Sequence, residues 1–555
     1  MPVTKVIIEN FKGIRDQVEI PIRPITLLFG GNSAGKSTIL HALLYFREIL
    51  ENQNVDADVV TGGGQDISLG GFRELVHEHN ESSRVTLGVE LDIADDGLQP
   101  YPVFESRLIS NETRDEQLDE AGKERAWASD IIIRDCGITE INSASIFVTV
   151  GIPKSESTPK VLEYRVEING ILFAKISGET RLMTAIEDIN TRHPAFSSFD
   201  IIEDGEDPYS NVITGALEQA LEGAHETADR VQNKKIIPII GNVVPTFGSA
   251  LEFELAKPDD NRDMRGLARL VINQLLVRPG EILRNLLREY RHLGPIRAIP
   301  NLANIAQRSS NPDRWIDGMA AWDLLSQDSE SSRTLTEQVD RYLKDKEHLD
   351  LGYSLTAKKV ISLPVDSSLM HILQRFSIAP DEFDNETGIR AAYAEMLEQH
   401  PRSEIVITDL RRDVPVKPSA IGSGVSQVVP VLVSVLDPNS KITAIEQPEL
   451  HLHPAVQCAL GDLFIRATNE SDERFFLIES HSEHILLRLM RRIRETQQQE
   501  TDSRDLQLDS SGITILFVET YEGRSIYREM PLDEHGDLVK AWPGGFFEED
   551  LKELM

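Results

Sequence analysis

The first 50 residues change their hydrophobic period at a stretch rich in glycine. Apolar and polar positions alternate over 3–9 and 17–29, which predicts β-strands. Over 37–50 the apolar positions recur at helical spacing instead. The stretch that separates the last strand from the helix reads GGNSAGKST. The pattern therefore predicts a β-β-loop-α unit at this end of the chain.

Further along, strand-like and helix-like patterns alternate. Helical spacing dominates between 212 and 350, and Pro279-Gly280 is expected to separate two of these helices. No window sustains the heptad repeat of a long coiled-coil arm. Residues 105–128 are polar and charged, which is typical of an exposed loop or insertion. Strands are predicted at 85–93, 130–135, 146–151, 161–176, 405–409 and 414–416, and helices at 212–234, 265–278 and 281–291.

The glycine-rich loop fits G-x-x-x-x-G-K-[ST] between a strand and a helix, which is the context that a phosphate-binding P-loop requires. Glycines let backbone N–H groups close around phosphate oxygens, and the following helix directs its positive dipole at them. Lys36 is expected to reach the β- and γ-phosphates, and Ser37 to ligate Mg²⁺. A glycine-rich turn without a ligand is the alternative. The predicted ATP- or GTP-binding residues are Gly30, Gly31, Asn32, Ser33, Ala34, Gly35, Lys36, Ser37 and Thr38.

Two more apolar strands end in polar residues far along the chain. Residues 441–446 have the form of a Walker B segment, in which Glu446 would hold Mg²⁺ through water. Residues 475–482 form the other, and His481 is placed to touch a γ-phosphate or the attacking water. Taken alone, His481 is equally well explained as a structural histidine at a strand end. The order of the parts favours one composite site.

A turn of glycine and serine at 421–427 opens another predicted helix. A helix N-terminus with exposed N–H groups and hydroxyls binds anions, which makes Ser423, Gly424 and Ser426 candidate phosphate contacts. An ordinary helix N-cap explains the same residues equally well.

The formal net charge of −34 means that the surface as a whole repels nucleic acid, so DNA contact would need a local basic patch. Solvated helix faces whose arginines pair with the many acids explain the basic residues better. The candidate patches are Arg488, Arg491, Arg492 and Arg494, and the run of Arg278, Arg284, Arg288 and Arg291.

Cysteine and histidine usage argues against a disulfide framework or a metal centre. Cys136 and Cys458 are the only cysteines, which fits a reducing compartment. His451 and His453 stand two residues apart, but such a pair without further ligands does not favour a metal site. The N-terminus lacks a signal-peptide pattern, and no apolar run approaches the length of a membrane span. We expect a cytoplasmic protein without membrane contact.

The order of P-loop, glycine-serine turn, acid-ending strand and histidine-ending strand resembles the ATPase head of the ABC-type SMC/RecF/OLD group. IEQPELHLHP at 445–454 is similar to that group's DEPELHLHP, which combines Walker B and D-loop. The chain resembles more closely the AAA-family ATPases of bacterial phage-defence systems, including the Septu ATPase PtuA and its retron-linked relatives. This closer resemblance rests on YRHLGPIRAIP at 290–300, GSGVSQVVPVL at 422–432, ESHSEHILLRLMRRI at 479–493 and WPGGFFEEDL at 542–551.

The resemblance implies an α/β fold, an ABC-type P-loop ATPase head built from N- and C-terminal segments around a mainly helical insertion. It implies ATP and Mg²⁺ as cofactors, Glu446 as the Mg²⁺ acid, His481 as the switch histidine and 421–427 as the signature motif. The implied division is 1–180 for the N-terminal part of the head, 181–400 for the insertion and 401–555 for the C-terminal part.

Gln447 departs from the pattern of that group, in which a catalytic glutamate directly follows the Walker B acid. An amide can orient water but cannot take its proton, so hydrolysis is expected to be slow, or Glu449 or His481 serves instead. ATP-gated assembly is therefore as plausible as steady turnover.

The resemblance also implies a homodimer or higher homo-oligomer joined through the heads. Such an assembly would control a partner effector in antiphage defence, an HNH-type nuclease, with a reverse transcriptase or retron nucleic acid as a further partner. Too few residues follow the histidine motif for the nuclease domain of OLD enzymes, so the chain alone is not expected to cut nucleic acid. The alternatives are a RecF-like DNA repair or recombination ATPase and an ATP-dependent structural scaffold.

Overall fold

A computed structural model gives the fold of the chain. Among the helices that it describes, none is long and apolar enough to cross a membrane. The exposed segment predicted at 105–128 and the strand predicted at 130–135 lie outside the described residues. The structure describes residues 3–53, 69–94, 141–154, 156–178, 184–196, 208–222, 235–253, 262–299, 312–361, 402–417, 421–499 and 503–543, with a few single positions and a short strand between them.

The secondary structure of the described residues alternates between strands and helices. The strands are β1 (Val3–Glu9), β2 (Val18–Pro21), β3 (Ile25–Gly30), β4 (Val85–Asp92), β5 (Ser143–Gly151), β6 (Lys160–Ile168), β7 (Ile171–Ser177), β8 (Ala185–Glu187), β9 (His225–Glu226), β10 (Lys235–Pro238), β11 (Tyr290–Leu293), β12 (Tyr353–Val360), β13 (Arg402–Asp409), β14 (Val414–Val416), β15 (Ile442–Glu446), β16 (Phe475–Glu479), β17 (Ile513–Tyr521) and β18 (Arg524–Glu529). The α-helices are α1 (Thr38–Asn52), α2 (Phe72–Leu75), α3 (Pro208–Glu222), α4 (Arg262–Ile272), α5 (Arg278–Arg288), α6 (Met319–Leu325), α7 (Glu330–Lys344), α8 (Ser423–Leu436), α9 (Pro454–Glu470) and α10 (Glu483–Gln497).

A six-stranded sheet carries the P-loop strand, in the order β11-β15-β16-β3-β17-β18. The strands are parallel except for the antiparallel pair of β17 and β18. The N-terminal strand β3 therefore lies between two strands from the C-terminal part of the chain. The middle part supplies β11 to the same sheet. The predicted α/β class is confirmed.

Both faces of this sheet are buried, which explains why its strands are almost continuously apolar. In β3, Leu28 packs into one core, whereas Leu27 and Phe29 pack into the other. The first core lies between the six-stranded sheet and a nine-stranded antiparallel sheet of order β2-β1-β4-β5-β6-β7-β8-β10-β9. The second core contains the apolar faces of α7, α8, α9 and α10.

Several elements predicted from the sequence are present as expected. The β-β-loop-α start is confirmed, with α1 beginning at Thr38. The two predicted strands near 405 and 414 pair as β13 and β14 in a small third sheet with β12.

The helix prediction for 281–291 is wrong at its C-terminal end and at its start. The helix α5 covers Arg278–Arg288, and Tyr290 already belongs to β11, which pairs with β15. The expected break at Pro279-Gly280 is also absent. Pro279 occupies the first turn of α5, where its missing N–H costs no hydrogen bond, and a π-helical segment, Asn273–Val277, connects α4 to α5.

Candidate nucleotide-binding site

The P-loop connects the end of β3 to the start of α1. Gly30 and Gly35 have φ angles of 143° and 102°, which residues with side chains rarely adopt. A Cβ on Gly30 would lie 2.1 Å from the carbonyl oxygen of Val518, and one on Gly35 would lie 2.2 Å from Oγ of Ser525. A Cβ on Gly31, in contrast, would meet no described atom within 4 Å. The loop is therefore packed tightly against β17 and β18 on one side and open at Gly31.

Lys36 and Ser37 bring the loop into contact with two carboxylates. The buried ammonium of Lys36 donates hydrogen bonds to two carbonyl oxygens of the loop at 3.0 and 3.2 Å, and it lies 3.5 Å from Oε1 of Glu479. The hydroxyl of Ser37 donates to Oε2 of Glu479 at 2.5 Å. It also lies 3.4 Å from Oε2 of Glu446. The two ends of the chain thus meet at the loop.

Glu446 and Glu479 end neighbouring parallel strands, β15 and β16, and are directly paired in register. Burial raises the pKa of Glu479, the hydrogen bond from Ser37 lowers it, and the charge of Glu446 raises it again. A cation beside both carboxylates would relieve their repulsion. Sequence reasoning assigned a role to Glu446 and missed Glu479, although the same signal, an apolar strand that ends in an acid, marks both residues.

The second oxygen of Glu446 is held from β11. Nε2 of His292 lies 2.8 Å from Oε1 of Glu446, and the ring of His292 is buried. Nearby, the ammonium of Lys12 donates to Nδ1 of His41 at 2.7 Å, and the rings of His41 and His292 lie 5.9 Å apart. Burial lowers the pKa of Lys12 to about 8 and that of His41 to about 2, so the His41 ring is neutral. No local sequence pattern marked Lys12 or His41, and His292 stands in the quoted motif YRHLGPIRAIP without a role having been assigned to it.

Arg297 connects the end of the Walker B strand to α8. Its buried guanidinium donates to the carbonyl oxygens of Glu446 at 2.6 Å and Gln447 at 3.3 Å. The side-chain amide of Gln427 in α8 accepts from the backbone N–H of Arg297 at 3.1 Å and donates to its carbonyl at 2.7 Å. Burial lowers the pKa of Arg297 to about 10, which leaves it charged at neutral pH.

Glu449 and His481 contact each other beside the loop. Oε1 of Glu449 accepts the backbone N–H of His481 at 2.7 Å. Burial raises the pKa of Glu449 and lowers that of His481, and the charge of Lys36 lowers the latter further. Oε2 of Glu449 and Nε2 of His481 are buried and have no hydrogen-bond partner among the described residues. Gln447 has a left-handed backbone with φ 47°, and its N–H donates to the carbonyl of Glu479 at 2.7 Å.

The glycine-serine turn forms the start of α8. Gly422 is the N-cap residue, and Ser423 is the first residue of the helix. A Cβ on Gly424 would lie 2.9 Å from the carbonyl oxygen of His451, so the D-loop segment approaches this glycine closely. Ser426 is fully buried within the protomer. His451 and His453 are exposed, and Nδ1 of His453 accepts from the N–H of Ala455 at the start of α9.

The residues at the loop fit a Mg²⁺-nucleotide. A hydroxyl and two carboxylates, from Ser37, Glu446 and Glu479, form an all-oxygen donor set of the kind that Mg²⁺ prefers. The ammonium of Lys36 and the N–H groups of the loop supply positive charge for phosphates. The unpartnered polar atoms of Glu449 and His481 lie at the same edge of the sheet, where a water or a phosphate oxygen would satisfy them.

The two arginine clusters are largely neutralised. Asp462 accepts hydrogen bonds from Arg488 and Arg492 of α10 at 2.8 Å. In the other cluster, Arg291 pairs with Asp437 at 2.6 Å. The further pairs are Arg491 with Glu495, Arg494 with Asp537, Arg278 with Glu281 and Arg288 with Glu51. The interpretation as solvated helix faces predicted this pairing with acids, but Arg291 lies in the strand β11 and not on a helix, and Arg284 donates to the amide oxygen of Asn285 instead of to an acid.

Two family models match the chain and cover both halves of the site. "AAA ATPase domain" matches residues 1–149, which contain β3, the P-loop and α1. "AAA domain, putative AbiEii toxin, Type IV TA system" matches residues 294–487, which contain Glu446, Glu479 and His481. These matches show that the chain contains AAA ATPase domains. No curated protein matches the sequence.

Solved structures of SMC heads have a partly similar fold. The Smc head bound to the C-terminal winged-helix domain of ScpA is 10% identical, with a TM-score of 0.37 and coverage of 96% of this chain and 98% of that one. The Pyrococcus furiosus Smc head with an extended coiled coil, bound to the C-terminal domain of ScpA, is 11% identical, with a TM-score of 0.35 and coverage of 100% and 99%. The Thermotoga maritima SMC head is 9% identical, with a TM-score of 0.32 and coverage of 96% and 100%.

Proposed function

We propose that this protein binds ATP with Mg²⁺ between two ATPase heads and uses the closed state to control a partner effector. The observation that carries the proposal is the convergence of Lys36 and Ser37 of the P-loop with Glu446 and Glu479 across the central sheet. A lysine, a hydroxyl and two acids at the carboxyl edge of parallel strands form a site for a metal-bound triphosphate.

Each residue of the site has a distinct role in this proposal. The N–H groups of the loop and the ammonium of Lys36 bind the β- and γ-phosphates. Ser37, Glu446 and Glu479 hold Mg²⁺, which would neutralise the charge between the phosphates. His292 fixes the far oxygen of Glu446, so that the near oxygen faces the loop. The remaining loop residues, Gly30 to Thr38, enclose the phosphates.

Hydrolysis in this site depends on Glu449 and His481 rather than on Gln447. The raised pKa of Glu449 makes its carboxylate a stronger base than an exposed glutamate, and its Oε2 has no protein partner among the described residues. Burial and the charge of Lys36 lower the pKa of His481, which favours its neutral form, and its Nε2 has no partner among the described residues, which suits contact with a γ-phosphate or the attacking water. Because Gln447 cannot accept a proton, we expect slow turnover and a long-lived ATP state.

The start of α8 completes the site of a second protomer. In this proposal Ser423 and Gly424 reach the γ-phosphate bound by the opposite head, so the head forms a homodimer or a higher homo-oligomer around nucleotide. Arg297 links this helix to the backbone carbonyls of Glu446 and Gln447, which couples the metal site to the surface that meets the partner head. Ser426 is buried and stays within its own protomer.

The partner effector that we propose is a nuclease of the HNH type in a cytoplasmic antiphage system, with a reverse transcriptase or retron nucleic acid as a further component. The motifs quoted from 290–300, 422–432 and 479–493 support this context, as does the mention of a toxin system in the description of the second family model. The paired arginines of α5 and α10 disfavour the RecF-like alternative, which requires a basic DNA-binding face. Gln447 favours a regulatory or scaffold use of ATP over rapid turnover.

The proposed function divides the chain at 180 and 400. The segments 1–180 and 401–555 would form the head, and 181–400 would form the insertion. The membership of β11 in the central sheet argues that the insertion is structurally coupled to the site.

The test is the mass of the protein with and without ATP, measured by light scattering after size exclusion. We expect ATP and Mg²⁺ to shift the protein toward a dimer or a higher oligomer. Gly424→Arg should still bind ATP but lose this shift, because a side chain at 424 meets the carbonyl of His451 at 2.9 Å and alters the turn that approaches the second head; an unchanged unfolding temperature would show that the fold itself is kept. If the Gly424→Arg protein associates with ATP and hydrolyses it normally, the turn at 421–427 acts only as a helix cap.

A further inference from the structure

Two side chains of β18 hold the back of the P-loop. The hydroxyl of Ser525 donates to the carbonyl oxygen of Ala34 at 2.7 Å. The phenol of Tyr527 donates to the carbonyl oxygen of Gly35 at 2.6 Å. These residues are 491 and 492 positions away from the carbonyls that they bind. Burial and the charge of Glu479 raise the pKa of Tyr527, so the phenol remains protonated and can donate.

The two hydrogen bonds fix the orientation of two consecutive peptide planes. In a trans peptide the C=O of one residue and the N–H of the next point in opposite directions. The anchored carbonyl of Ala34 therefore directs the N–H of Gly35 away from β18, and the anchored carbonyl of Gly35 does the same for the N–H of Lys36. In a loop of this sequence the backbone N–H groups are the donors that cradle the phosphates.

The side chain of Ser525 also occupies a space that exists only because residues 13 and 35 are glycines. Its N–H donates to the carbonyl of Gly13 at 2.8 Å. A Cβ on Gly13 or on Gly35 would lie 2.2 Å from Oγ of Ser525. The serine is thus enclosed between the β1–β2 turn and the P-loop, and it has little freedom to turn away from Ala34.

We propose that Ser525 and Tyr527 are positioning residues for the nucleotide, which preset the N–H groups of Gly35 and Lys36 toward the β-phosphate. This inference rests on the proposed function of the P-loop. Neither side chain needs to touch the nucleotide, because each acts through a carbonyl of the loop. A loop held in its binding geometry loses less conformational freedom when the ligand arrives, and preorganisation of this kind increases affinity.

The effect should be moderate, because the carbonyl of Gly35 also accepts the N–H of Thr38 at 3.1 Å. Loss of one hydrogen bond of ordinary strength corresponds to about a two- to tenfold change in an equilibrium constant. We therefore expect Tyr527→Phe and Ser525→Ala each to weaken nucleotide binding by about that factor. Because the anchored N–H groups face the β-phosphate, ADP and ATP should be affected equally.

The experiment is calorimetry of ADP and ATP binding to the full-length variants, together with steady-state hydrolysis and thermal unfolding without nucleotide. The expected result is a raised Kd for both nucleotides, a raised KM and an unchanged kcat for Tyr527→Phe. Matched controls on the same hairpin are Tyr521→Phe and Thr520→Ala, whose side chains are exposed and should leave binding unchanged.

Three outcomes separate this inference from the proposed function. If the unaltered protein fails to bind nucleotide, or if Lys36→Ala binds it normally, the proposed function is wrong and the inference falls with it. If Lys36→Ala abolishes binding while Tyr527→Phe and Ser525→Ala bind ADP as tightly as Tyr521→Phe, only the inference is wrong. A lower unfolding temperature with an unchanged Kd would likewise overturn it, because that pattern marks a purely structural role.

Discussion

Replacing Lys36 by alanine removes the ammonium that lies at the centre of the proposed phosphate site. The side chain is buried, donates to two loop carbonyls and lies 3.5 Å from a carboxylate oxygen of Glu479. The described side chains that contact Lys36 or Ser37 from outside the loop are those of the acids Glu446 and Glu479. The variant would therefore bring the triphosphate close to two carboxylates without the loop's own cation.

The size of this effect follows from the burial of the lysine. Truncation of one partner in a buried, hydrogen-bonded charge pair costs about 2–5 kcal/mol. Since about 1.4 kcal/mol corresponds to a factor of ten, ATP binding should weaken by roughly 30- to 4,000-fold. Lys36→Met should lose nearly as much, because it keeps the apolar stem and removes only the charge.

Calorimetry of ATP binding to the purified variants measures this directly. Lys346→Ala is the matched control, because Lys346 is an exposed lysine outside the central sheet. Biological activity should disappear with the affinity. Unchanged ATP binding by Lys36→Ala would refute the assignment of the P-loop, and equal losses in Lys36→Ala and Lys346→Ala would refute the reasoning from burial.

Four further predictions address the rest of the site. Glu446→Gln should weaken nucleotide binding in Mg²⁺ far more than in a chelator, as calorimetry under both conditions would reveal. Glu449→Gln should keep ATP affinity and lower phosphate release, whereas Gln447→Glu should raise phosphate release; a flat rate in the latter would place residue 447 away from the attacking water. Arg297→Met should lower the free energy of unfolding by about 1–3 kcal/mol in denaturant titrations, because it leaves a buried carbonyl group without its donor. The purified chain with plasmid, ATP and Mg²⁺ or Mn²⁺ should leave the DNA intact; cleavage that persists through purification and disappears on mutation of acids outside 446–449 would contradict the effector model.

The parts of the site that the sequence predicts are those marked by a short, contiguous sequence pattern. The change from strand to helix spacing around its glycines indicates the P-loop. Glu446 ends an apolar strand, and His481 stands just after another. Glu479 carries the same mark as Glu446, and the strand register pairs the two acids. Its role was missed because a single strand pattern does not reveal which strand lies beside it.

The contacts that the sequence does not predict are those between distant segments. Arg297 is 149 residues from the carbonyl of Glu446 that it binds, and no periodicity around it records that contact. Tyr290 continues the helical spacing of the residues before it, yet it forms a strand because pairing with β15 outweighs local preference. His292 and Tyr527 likewise acquire their roles only through the assembled sheet.

The position of β3 at the centre of the sheet has a consequence for how the protein is made. Its neighbours, β16 and β17, belong to the last part of the chain, and the contact between Ser37 and Glu479 spans 442 residues. At a translation rate of about 5–20 residues per second, the nascent β3 waits roughly 20–90 s for its partners. All six of its residues become buried in the native fold, so during that interval the strand is an unpaired apolar edge. We expect the nascent chain to depend on chaperones. We also expect the ATPase site to be among the last parts of the molecule to form.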